Sequence, residues 1–70
     1  MAQYRTITML TKHFQAEREK ALLTLELLTD DKAGIGDHST QDFYNNAIDA
    51  VKALAEAEDV LHTINRHFPQ

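Results

Sequence analysis

In the second half of the chain Phe43, Ala47, Ala50, Leu54, Ala57, Leu61, Ile64 and Phe68 follow one another at steps of 4, 3, 4, 3, 4, 3 and 4 residues. Alternating steps of three and four keep side chains on one face of an α-helix, whereas a strand repeats every second residue. The seam is unbroken, and its alanines let a facing helix come close. A second ridge, Tyr44, Ile48, Val51 and Ala55, runs beside it. Asn45, Asp49, Lys52, Glu56 and Asp59 make the polar side, with Asp49–Lys52 and Lys52–Glu56 at spacings that allow local ion pairs. Pro69 cannot continue a helix. The pattern predicts a helix over 41–67, roughly 40 Å long.

The first half predicts a partner helix over 6–29, after a frayed start at Met1 to Arg5. Ile7, Leu10, Phe14, Ala21, Leu25 and Leu28 share a face, interrupted by Glu17. Gln15 to Leu28 is rich in strong helix formers, and its threonines lower the propensity only slightly. Leu22, Leu23, Leu25, Leu27 and Leu28 cannot all point at one facing helix. Leu23 and Leu27 form a ridge of their own. Large exposed apolar surfaces usually mark interfaces. Leu22, Leu23, Leu27, Tyr44, Ile48 and Val51 are therefore expected to hold the chain to a second copy or to a protein partner, and Leu23→Asp is expected to dissociate the assembly.

Between the halves lies Asp30 to Thr40, which contains both glycines. Glycine supplies the backbone freedom of a tight turn or helix end. Ser39 or Thr40 is expected to cap the second helix, with Asp42 in its first turn. The fold expected is all-α: one domain, residues 1–70, an antiparallel two-helix hairpin assembling into a helical bundle. Folding about Gly34 to Gly36 brings together residues whose numbers sum to about 71. Tyr4, Phe14, Phe43, Tyr44 and Phe68 are expected in the core rather than stacked on a ligand.

Seventy residues bury only about 60% of their unfolded surface, and chains this short usually need outside support. With no cysteine, disulfides and thiolate zinc sites are excluded, which leaves oligomerisation, most simply a dimer. The net charge is −4, and the cations are scattered among acids, so no nucleic-acid partner is expected. No apolar run suits a membrane span and no signal-peptide core opens the chain, so a cytoplasmic protein without a membrane partner is expected.

The side chains allow three chemical readings. An anion site at the bend would use Gly34, Gly36, His38, Ser39 and Thr40, through free N–H groups at a helix start. Against it, Asp30, Asp31, Asp37 and Asp42 would repel phosphate, and the lysine and spacing of a P-loop are missing. A metal layer would use His13, Glu17, Glu58 and His62, which the hairpin register brings near one another. The Glu-x-x-His spacing of carboxylate-bridged diiron bundles is absent, so the metal reading stays secondary. Nucleophilic catalysis has no oriented group: Ser39 and His38 are merely adjacent. No enzyme, catalytic residue or cofactor is expected.

Gly34-Ile35-Gly36-Asp37-His38-Ser39, after a leucine-rich helix and before Ala55-Glu56-Ala57-Glu58-Asp59, resembles a group of small helical-hairpin proteins of T4-like phages and marine cyanophages. The likeness spans roughly residues 21–61. That group has Asn-Pro before the bend where this chain has Asp31-Lys32, so the turn starts differently. The resemblance implies a phage accessory, host-takeover or anti-defence factor in the host cytoplasm, acting on a host protein, and brings no site residue with it. The layout is also similar to the hairpin domain of phage anti-defence proteins that sequester cyclic nucleotides, which implies, as the alternative, capture of a small anionic ligand at the bend.

Overall fold

The computed structural model describes residues 5–30 and 40–69. Two helices, α1 (Arg5–Asp30) and α2 (Thr40–His67), pack against each other, and no strand occurs among the described residues. Their bounds fall within one residue of those the heptad pattern predicts. Asp42 stands in the first turn of α2, and Arg66 and His67 in its last, each where the helix dipole favours its charge. The Phe68 N–H donates to the Ile64 carbonyl at 2.7 Å, and Pro69, having no N–H, cannot add the next bond.

Threonines inside α1 turn inward on their own backbone. Thr11, Thr24 and Thr29 donate Oγ1–H to the carbonyls of Ile7, Lys20 and Leu25 at 2.8, 2.9 and 2.7 Å. Such bonds satisfy the hydroxyls without a tertiary partner. On α2, Gln41 Nε2 donates to Asn45 Oδ1 one turn on, at 3.0 Å. Lys52 makes no ion pair with Asp49 or Glu56; its exposed position gives water the better claim on its ammonium. Arg18 Nε does meet Glu19 at 3.3 Å, a surface pair of small energetic weight.

Phe14 and Ala57 line one depression between the helices, and Ala21 and Ala50 line another. Both pairs of numbers sum to 71, so the helices are antiparallel in the expected register. Along the line of closest approach the buried side chains are Ala21, Ala50 and Ala57, and no large side chain among the described residues is fully buried. Phe14, Leu28, Phe43, Leu54, Leu61 and Ile64 are half-buried. One facing helix covers a bulky side chain from a single direction, so these cannot do better.

The same limit overturns part of the expected core. Leu10 is exposed despite its place on the α1 stripe. Phe68 is exposed because it lies past the end of α2, and Tyr44 because it projects beside the seam rather than into it. Tyr4 lies outside the described residues.

The molecule measures 50 × 15 × 14 Å. Its radius of gyration is 15.7 Å, against about 11 Å for a compact chain of this length. Its accessible surface is 5725 Å², where a folded 8.0 kDa monomer averages about 4,450 Å².

Candidate interaction faces

All six side chains expected at an interface are exposed, from Ile48 at 36% to Tyr44 at 60%. Their directions follow from the helix turn of about 100° per residue, measured from the buried alanines. Leu22 is one step past Ala21, and Val51 one step past Ala50. In an antiparallel pair equal turns carry both to the same side of the seam. Tyr44, two turns before Val51, joins them, and Ile48 stands at the outer edge of the same stripe. Leu25 and Ala47, both half-buried, form the floor between Leu22 and Tyr44.

The opposite side of the seam is polar. An open groove there is lined by Glu17, Lys20 and Thr24 of α1 and by Asn46, Asp49 and Ala53 of α2. Farther along, the groove takes in His13 and Glu56.

Leu23 and Leu27 belong to neither flank. They lie two and six residues past Ala21, which turns both to the rear of α1. The six residues therefore do not make the single surface the sequence suggests. They divide into a flank built by both helices and a stripe built by α1 alone. The rear stripe also holds Met9, 62% exposed, a residue the leucine pattern passes over. The signal for it was present, since Met9, Ala16 and Leu23 repeat at seven residues. Arg5, Lys12 and Glu19 stand among these apolar side chains on the same rear surface.

The metal layer does not form. His13 and Glu17 line the polar groove, where the carboxylate across from them is Glu56. Glu58 is one residue past buried Ala57 and His62 five, turns that put both on the opposite flank. The register is as expected; the rotation of α2 about its own axis separates the two pairs. Among the described residues no three His, Cys, Asp or Glu side chains are grouped closely enough to hold a metal ion.

Of the anion-site residues, Thr40 opens α2 and is exposed. Gly34, Gly36, His38 and Ser39 lie outside the described residues. His13 and Phe14 meet edge to face, with ring centroids 4.9 Å apart, beside the groove. No described helix is long and apolar enough to cross a membrane.

No protein-family model matches this chain, no curated protein matches it, and no solved structure matches it.

Proposed function

We propose that the chain is a non-enzymatic interaction protein, a hairpin that pairs with a second copy of itself to complete a helical bundle. The observation that carries this reading is the mismatch between core and surface. Among the described residues three alanines are buried and nine large apolar side chains are exposed. The accessible surface exceeds that of an ordinary monomer of this mass by about 1,300 Å². A standard protein interface takes about 800 Å² from each partner, so pairing would remove part of that surplus. It also supplies the support that so short a chain needs without disulfides.

The rear stripe of α1 would stay free in such a dimer. Met9, Leu23 and Leu27 suit a groove with an apolar floor on another protein. The resemblance at the glycine bend supports extending the reading to a phage accessory factor acting on a host protein.

Mass spectrometry under non-denaturing conditions, on protein purified without ligand, tests the self-association. Twice 8.0 kDa is the expected mass. A folded species at 8.0 kDa over the whole concentration range would overturn it.

A further inference from the structure

The groove between the helices has polar rims over a mostly apolar floor. Its two depressions run end to end and share Glu17 and Ala53. Ala21 and Leu28 line the first, Phe14 and Ala57 the second. Phe14 and Leu28 are half-buried, and this is the side they leave open. On α1 the groove side of the seam carries Leu10, Phe14, Ala21 and Leu28. The other side carries Leu22 and Leu25 among Thr11, Gln15 and Arg18.

The rims are complementary. On α2 the carboxylates of Asp49 and Glu56 stand seven residues apart, on one edge of the helix. On α1 the imidazole of His13 and the ammonium of Lys20 have the same spacing. By the register that sets Ala21 against Ala50, Lys20 is level with position 51 and His13 with position 58. Each is thus two residues, about 3 Å, from the height of Asp49 or Glu56. Neither pair closes within the chain, because the groove holds the rims apart; the ion pair among the described residues is Arg18–Glu19.

We infer that a second copy seats in this groove, about a two-fold axis parallel to the helices, so that α1 of each copy lies on α2 of the other. The inference rests on the self-association proposed above and adds the face, the axis and the residues that select them. A parallel axis preserves height. Lys20 of each copy then faces Asp49 of the other, and His13 faces Glu56. An axis across the helices would lay α2 on α2, acidic rim on acidic rim, and the Lys20 rim on its own kind. Complementary charge thus favours a second copy in one orientation. Asp42, the next acid along that edge of α2, is level with position 29, past the reach of Lys20, at the exposed start of the helix.

One floor residue runs against the pattern. Glu17 lies between the rims at the height of Ala53, and pairing brings both copies of it to one level near the axis. A carboxylate between helices costs stability, and in coiled coils one polar core position fixes register at such a cost. Replacing Glu17 by an apolar residue therefore strengthens an interface in the groove. The flank with Leu22, Tyr44, Ile48 and Val51 faces outward in this dimer and stays open to another protein.

Two charge variants test the axis. Lys20→Glu makes that layer acidic on both rims, and Asp49→Lys makes it basic on both. Either chain alone is expected to dimerise about tenfold more weakly than wild type, because like charges then meet twice. Mixed in equal amounts, with one chain isotope-labelled, the two are expected to form a heterodimer within about threefold of wild-type affinity. Mixing cannot rescue an attraction confined to one chain. A mixture as weak as its components, or either variant alone as tight as wild type, overturns the inference. Native mass spectrometry over a concentration series reads each case.

Two further variants test the face. Glu17→Leu is expected to tighten the dimer by about tenfold or more. Val51→Asp, on the opposite flank, is expected to change the dissociation constant by less than about threefold. An unchanged or weaker Glu17→Leu dimer, or a loss in Val51→Asp as large as in the charge variants, overturns the choice of face. A wild-type chain that is monomeric throughout overturns the self-association itself, and is seen before any variant is made.

Discussion

Ala57 retains 1% of its accessible surface, the least of any described residue singled out as core. At that point the helices approach to the limit a methyl group sets. Ala57→Leu adds three carbons where the helices already pack to 1% exposure, and overpacking of this kind typically costs about 1–3 kcal/mol. The expected result is a lower urea midpoint with helix content retained at zero denaturant, read by circular dichroism. Wild-type stability in the variant would show that the seam is looser than its burial implies. Seen residue by residue, this core was legible in the sequence, since the heptad places alanine at 50 and 57 and α1 supplies Ala21 across from them. The fates of Tyr44 and Phe68 were not. Periodicity says that an aromatic shares a helix face, but not whether anything lies above that face to cover it.

For the helices the end signals are local, which explains why the boundaries came out so nearly right. Asp42 and the pair Arg66 and His67 oppose the partial charges of the two α2 ends. Asp42→Lys reverses the favourable interaction at the start of α2 and is expected to cost about 0.5–1 kcal/mol at low ionic strength. Raising the salt toward 1 M should shrink the difference, because exposed charges are then screened within about 3 Å. Urea melts of the two chains at low and high salt measure it; a difference indifferent to salt would refute the dipole account. What sequence could not resolve for α2 is its rotation about its own axis. His13 and Glu58 stand level by the register, yet a rotation that follows from burying Ala50 and Ala57 sends Glu58 and His62 to the far side. The same rotation divides the apolar ridges into two faces. Register follows from counting residues, whereas rotation depends on which of two adjacent ridges the partner helix covers.

Taken whole, the hairpin has two long elements and a single thin layer of contact between them. A chain this small is marginal even when compact, and this one leaves five of its described large apolar side chains more than half in water. If pairing supplies the missing burial, folding and association are one equilibrium, and the thermal midpoint must rise with protein concentration. Melting curves over a hundredfold range of concentration should shift upward by several degrees, as expected when about 1 kcal/mol moves the midpoint of a 60–100-residue domain by 4–8 °C. A midpoint indifferent to concentration would mean that the hairpin is stable alone, and the exposed faces would then be reserved for other proteins.

The 50 × 15 × 14 Å outline bears on motion through water. A rod of this shape tumbles about its long axis far more freely than end over end. N–H vectors along the two helices, all nearly parallel to that axis, would relax together at the slow end-over-end rate. Side-by-side pairing doubles the mass while leaving the length unchanged, so friction per unit mass falls. The particle would sediment faster than a chain that doubled by growing longer, and its end-over-end rotation would slow only modestly. Drag and relaxation therefore separate broad-side from end-to-end association.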